Sequence, residues 1–205
     1  MTSSRIWAGS VAVYGYMRTM PSLPASDIPT PRLRLVALGL DTLRALLACD
    51  YKKASTQHGW DLTPEFRDSL GDRFLEVQLE MVRNHTAGRA WGVRSMVRRT
   101  DGLVLGHTGF HGPPEVIGRA EVGYHVFVAY RGCGYATEAC RALIDWARDH
   151  GHGTVFASVS PDNAQSLAVV HRLGFRRSEV LGQRPNDAED LFEVTTGSVA
   201  TSTYR

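Results

Sequence analysis

Between Glu121 and Ala147 the spacing of apolar residues changes across one short turn. From Glu121 to Val128 it alternates, with Val122, Tyr124, Val126 and Val128 on one side and Glu121, His125 and Phe127 on the other, the pattern of a strand. From Tyr135 the apolar positions are Tyr135, Ala139, Leu143, Trp146 and Ala147, the stripe of a helix that stops at His150-Gly151. The connection is Arg131-Gly132-Cys133-Gly134. A strand fed through a glycine turn into a helix presents unpaired backbone N–H groups at the positive end of the helix dipole. Such a terminus suits a phosphate or pyrophosphate. Gly132 and Gly134 let the backbone approach a ligand and adopt positive φ, and Arg131 adds a fixed charge. A Walker A loop is excluded because no Lys follows the glycines. A dinucleotide fingerprint lacks its third glycine, since position 137 is Thr. An ordinary tight turn is the remaining alternative from this segment alone.

The flanking chain is that of a mixed α/β domain. Arg32 to Val36 alternates as a half-buried strand, and Asp41 or Thr42 caps a short helix carrying Leu43, Leu46 and Leu47. A polar loop with His58, Gly59, Trp60 and Asp61 follows. Thr63-Pro64 then opens a helix with Phe66, Leu70, Phe74, Val77 and Met81 on one stripe. Trp91 to Val97, Leu103 to Phe110 and Glu121 to Val128 form an antiparallel meander with turns at Thr100-Asp101-Gly102 and Gly112-Pro113-Pro114. After the 135–150 helix come a strand at Thr154 to Val159, a helix at Asn163 to Leu173 closed by Gly174, and a hairpin of Phe175 to Leu181 with Leu191 to Val194. Residues 1–30 read as a disordered extension, 31–195 as one domain and 196–205 as a frayed tail. Ile6 to Tyr16 imitates a secretory signal poorly, because Gly9, Ser10, Tyr14 and Gly15 dilute it; Met17 and Met20 are alternative starts.

Composition narrows the function classes. A net charge of +2 over 205 residues does not advertise nucleic acid or an anionic membrane as partner. No apolar run approaches the length of a membrane span. Three cysteines, Cys49, Cys133 and Cys140, are too few and too scattered for a disulfide framework, which points to a reducing, cytoplasmic setting. His107 and His111 share a face but lack a third ligand nearby, so a contact with substrate is preferred to a metal.

A second segment, Asn163-Ala164-Gln165-Ser166 followed by Arg172-Leu173-Gly174-Phe175, completes a pattern. Together with Arg131-x-x-Gly134-x-Ala136, in this order and on these elements, it resembles the Gcn5-related N-acetyltransferase (GNAT) superfamily. Ala120-Glu121-Val122-Gly123-Tyr124 and Ala136-Thr137-Glu138-Ala139 resemble the branch containing the ribosomal-protein N-terminal acetyltransferases. The resemblance covers about Pro31 to Val194. It implies an α/β GNAT fold, with a mixed, mostly antiparallel, splayed sheet of about seven strands flanked by about four helices. It implies an N-acetyltransferase that moves the acetyl group of acetyl-CoA to a primary amine by direct attack in a ternary complex, with no metal.

Carried over by residue, the amides of Gly132, Cys133, Gly134, Tyr135, Ala136 and Thr137, with Arg131, would hold the pyrophosphate. Phe127 and Val128 would hold the pantetheine and the thioester carbonyl. Asn163 would meet the pantetheine from the other side, and Arg172 would reach the nucleotide phosphate. Glu121 is the implied base, acting through water on an amine whose ordinary pKa is near 10.4; a charge pair with Arg119 is its alternative. The tyrosine many members carry on the last helix falls on Val170 here, so Ser166 is the implied proton donor to the thiolate, with helix capping as its alternative. Trp60, His107 and His111 are expected near the acceptor. The acceptor itself, whether a protein lysine, an N-terminus or a small amine, stays open, as does a homodimer. The missing tyrosine also leaves open a catalytically silent coenzyme A-binding regulator.

Overall fold

The computed structural model describes residues 27–85, 87–178 and 189–195. Its strands form one eight-stranded sheet in the order β1-β2-β3-β4-β5-β6-β8-β7. Strands β2 (Leu33–Ala37), β3 (Val93–Arg98), β4 (Val104–Phe110) and β5 (Ala120–Val126) are antiparallel neighbours, as the alternating segments predict. Strand β6 (Thr154–Val159) lies parallel to β5, and β8 (Asp190–Thr195) and β7 (Arg176–Arg177) complete the sheet antiparallel. The short β1 (Ile28–Pro29) pairs with β2, so the fold reaches into the segment expected to be disordered. The connection within the predicted 175–194 hairpin, like residues 1–26 and 196–205, lies outside the described residues.

Helices α1 (Leu40–Leu47), α2 (Tyr51–His58), α3 (Pro64–Leu70) and α4 (Asp72–Asn84) cover one face of the sheet. Leu43, Leu46, Phe66 and Leu75 pack there against Val93 and Val97. On the other face, α6 (Tyr135–Asp149) and α7 (Ala164–Arg172) bury Leu143, Ala147 and Val170 against Leu35, Met96, Val155 and Phe192. A one-turn helix α5 (Pro114–Ile117) stands where a turn was expected.

Several differences from the sequence reading have local causes. The Phe66–Met81 stripe is divided between α3 and α4, because Gly71 sits at φ +76, which no helix accommodates. The polar α2 buries only Ala54 and so carries no apolar stripe; Asp50 starts it by accepting a bond from the Lys53 amide at 3.0 Å. Gly39, not Asp41 or Thr42, is the N-cap of α1. Strand β5 stops at Val126, and Val128 belongs to a 3-10 turn at Val128–Tyr130 where it is 71% exposed. Strand β4 carries a bulge opposite Ser95/Val97, and its Gly106 is obligatory: a Cβ there would lie 2.0 Å from the His125 carbonyl oxygen.

Trp91 locks the meander to α6. It is 1% exposed, and its ring meets Phe110 at 4.6 Å, Trp146 at 4.7 Å and His152 at 4.8 Å, all edge-on. Trp91→Ala is expected to cost about 3–5 kcal/mol in urea unfolding; a loss below about 1 kcal/mol would show that this contact does not hold the layers together.

Candidate active site

Strands β5 and β6 pair only through Ala120↔Val155 and Glu121↔Phe156. Beyond that point they part, leaving a wedge that opens toward the C-terminal end of β5. Antiparallel alternation fixes which groups face it. Glu121 O and Phe127 N bond toward β4, to the His111 amide and Leu105 carbonyl, so the backbone groups of Tyr124 and Val126 point toward β6. The Phe127 carbonyl already accepts from the Tyr130 amide, and its side chain is buried. Tyr124 and the Val126 amide, rather than Phe127 and Val128, therefore line the wedge with backbone polar groups; the Val126 carbonyl there already accepts from Arg131 Nε. The shift follows from the strand ending at Val126.

The glycine turn stands at the mouth of this wedge. Gly132 and Gly134 adopt φ +77 and +81. Among the described residues, no acceptor takes the amides of Gly132, Cys133, Gly134, Tyr135, Ala136 or Thr137; the first paired amide of α6 is Glu138, to the Gly134 carbonyl at 3.0 Å. A Cβ on Gly132 would meet nothing within 4 Å, so the cradle is open. The Thr137 hydroxyl, in the first turn of α6, is buried without a partner among the described residues. These groups fit a pyrophosphate, which brings acceptors to unsatisfied donors.

Arg32 braces this loop and was not anticipated. Its Nε donates to Glu138 at 2.6 Å, its Nη1 to the Cys133 carbonyl at 2.9 Å, and its guanidinium lies 4.6 Å from the Tyr135 ring centre. Thr30 Oγ1 and the Arg32 amide also donate to Glu138, at 2.6 and 2.7 Å. Partial burial opposes the Glu138 charge, but these hydrogen bonds prevail and hold its carboxyl below the ordinary value. Arg131 is turned inward, its Nε donating to the Val126 carbonyl at 2.9 Å. Cys133 is exposed.

At the closed end of the wedge, Glu121 is 2% exposed and fully engaged. Arg119 Nε and Ser158 Oγ each donate to it at 2.6 Å, and His111 Nδ1 lies 3.5 Å away. Burial would raise its carboxyl, but the charges of His111 and Arg119 and the two hydrogen bonds bring it below the ordinary value. Burial keeps the His111 ring below its ordinary value despite this neighbour. The expected pair with Arg119 is thus present, and Glu121 and His111 are brought together.

The other expected residues are distributed differently. His107 is 0% exposed, edge-on to Phe66 and stacked on His125, a core residue out of an acceptor's reach. Trp60 packs under the β3–β4 turn, where a Gly102 Cβ would touch it at 2.8 Å. By the sheet register that is the opposite end from Glu121 and His111. Asn163 caps α7, accepting from the Ser166 amide at 3.0 Å. Ser166 is buried, and its carbonyl lies 3.4 Å from the Tyr124 hydroxyl. Burial, then the neighbouring Cys140, raises the Tyr124 phenol, which keeps its proton. Arg172 is exposed in the last turn of α7. Among the described residues no cluster of three or more His, Cys, Asp or Glu could hold a metal ion, and no helix is long and apolar enough to cross a membrane.

Beneath α1–α4, His58 Nε2 meets Ser95 Oγ at 2.7 Å, beside the His107–His125 stack. Burial, then Arg89, lowers His58 from 6.5 to about 4. Burial, then His125, lowers His107 from 6.5 to about 3, against a bond to the Ser69 backbone. Unfolding lets both rings take protons that the fold refuses. Their contribution is complete above the unfolded value of 6.5 and is lost as pH falls from there, toward about 4 for His58 and about 3 for His107. Tm should be level above about pH 7 and drop through this window; a Tm independent of pH there would show that the fold accepts these protons.

The model of the acetyltransferase (GNAT) domain matches residues 32–176. The uncharacterized N-acetyltransferase YjdG of Bacillus subtilis (strain 168) is 26% identical over 149 residues, 72% of this chain and 88% of its own. Among solved structures, the apo ribosomal L7/L12 alpha-N-protein acetyltransferase RimL superposes with a TM-score of 0.53 at 16% identity, covering 83% of this chain and 98% of its own. The microcin C7 self-immunity acetyltransferase MccE, in complex with acetyl-CoA and AMP, gives 0.53 at 19% identity, covering 86% and 98%. These two structural likenesses concern the fold.

Proposed function

The chain belongs to the GNAT acetyltransferase family and is an acetyl-CoA-dependent N-acetyltransferase, and on that premise we propose that it acetylates a primary amine, of a protein or a small molecule, by direct attack in a ternary complex. The observation that carries the reading is the row of unpaired amides from Gly132 to Thr137 at the mouth of the β5–β6 wedge. Those amides and the α6 dipole take the pyrophosphate. Arg32 and Glu138 set the shape of the loop, and Arg131 ties it to the end of β5. The backbone of Tyr124 and the amide of Val126 take the pantetheine, with Asn163 opposite and Arg172 toward the nucleotide phosphate. Bound acetyl-CoA supplies the thioester carbonyl that the amine attacks.

Glu121, held ionised by Arg119, Ser158 and His111, marks the acceptor side of the wedge. Ser166 provides the hydroxyl for the leaving sulfur, and Tyr124 steadies it through the Ser166 carbonyl. Three free cysteines, two of them exposed, suit the reducing cytoplasm in which we place the enzyme.

Acetyl-CoA at 100 times its Kd should stabilise the fold by about 2.7 kcal/mol, raising Tm by about 5–10 °C. NAD should leave Tm unchanged. Gly134→Val places a β-branched residue at φ +81 and should abolish the acetyl-CoA shift; an equal shift with NAD, or an undiminished one in the variant, would overturn the reading. With an amine that turns over, Ser166→Ala should lower kcat about a hundredfold while leaving the acetyl-CoA shift intact. An unchanged kcat would remove Ser166 from the mechanism.

A further inference from the structure

Glu121 is a poor proton acceptor, since a donor or cation engages each of its oxygens. The register of β6 and β8 brings a second carboxylate to the same side of the wedge. Glu121 pairs with Phe156, so Glu121, Phe156 and Ser158 share a face. Ser158 pairs with Leu191, and Phe192 packs into the α6–α7 core on the opposite face. Alternation therefore puts Leu191 and Glu189 on the Glu121 face. Glu189 immediately precedes Asp190, which pairs with Val159. Val159 is the last residue of β6, so Glu189 lies just beyond the C-terminal end of that strand, the end at which β5 and β6 have parted. Gly123 adds no side chain to this face.

We propose that Glu189 is the general base of this acetyl transfer, receiving a proton from the acceptor's ammonium group, and that Glu121 is a positioning residue whose fixed negative charge keeps that proton on Glu189. The assignment rests on the acetyltransferase reading above. The neighbouring charges agree with it. Burial first, and Glu121 second, raise the Glu189 carboxyl above its ordinary value, whereas Glu121 itself is lowered. Two carboxyls driven apart in this way mark a division of roles. Around them, Arg119 and Ser158 are spent on Glu121, His111 stands beside it, Ser178 donates to Glu193 at 2.8 Å, and Asp190 pairs with Arg177. No described cation lies within ion-pair distance of Glu189.

In the step, the ammonium gives one proton to Glu189 and its nitrogen bonds to the thioester carbonyl carbon. The carbon–sulfur bond breaks, the second nitrogen proton goes to sulfur, and Glu189 returns its proton to water. Coenzyme A thiol and the N-acetyl product leave.

Two measurements test the proposal. In a carboxyl 13C titration of glutamate-labelled protein, one resonance should titrate above the ordinary glutamate range, vanish in Glu189→Gln and move down in Glu121→Gln. With the primary alkylamine that turns over fastest, Glu189→Gln should lower kcat/KM about a hundredfold and displace the acid limb of its pH profile. The acetyl-CoA Tm shift should be retained, and an arylamine acceptor, already neutral, should lose little. A Glu189 that titrates normally, or a variant with unchanged rate and profile, overturns the assignment. Wild-type protein that turns over no amine counts against the acetyltransferase reading instead, and the titration then decides the role of Glu189.

Discussion

The parting of β5 and β6 after Glu121↔Phe156 is the constraint on which the site depends. Within a sheet, a buried backbone group without a partner is costly, so nearly all find one. Here two adjacent strands forgo pairing along most of their length, and each is held from its outer side instead. Strand β5 is fixed by β4 from Gly106↔Val126 to Phe110↔Val122, and β6 by β8 from Thr154↔Thr195 to Val159↔Asp190. The wedge is thus a rigid gap between two well-supported edges, and the groups facing it are satisfied by what enters. The loop at its mouth obeys the same logic, with Arg32 and Glu138 fixing its shape while its amides stay free.

Charge is divided as cleanly as hydrogen bonding. At the closed end, Arg119 and Ser158 donate to Glu121, with His111 beside it, and hold its carboxyl below the ordinary value against the effect of burial. A group so well satisfied is stable but chemically inert, because the bonds that hold its charge are lost when it takes a proton. In the proposed step proton transfer falls to Glu189, which has no ion-pair partner among the described residues. The coenzyme side carries the opposite character: helix dipole, free amides and arginines.

The strand–turn–helix from Glu121 to Ala147 was legible in sequence because a period of two gives way to one near 3.6, and two glycines mark the change. The whole meander, α6, β6 and α7 could be read in the same way. What periodicity cannot carry was missed. A two-residue strand containing proline, a polar helix burying one alanine, and a helix divided by Gly71 leave no apolar rhythm of their own. Within the site, Glu121 follows from the family resemblance, and the loop could be read from local pattern. Arg32 and Glu189 could not, since each reaches its place through sheet register from a distant part of the chain. His107 shows the converse: it does share a face of the sheet with His111, but that face is covered by helices there, and Phe66 packs edge-on to the ring in the core.

The central claim is that the free amides from Gly132 to Thr137 receive the pyrophosphate of acetyl-CoA. It is tested most directly by following assigned backbone amide resonances while coenzyme A is titrated into 15N-labelled protein. The amides of Gly132, Gly134, Tyr135, Ala136 and Thr137 should move together and saturate with one binding constant. Saturable shifts elsewhere, with these five unmoved, would contradict the account.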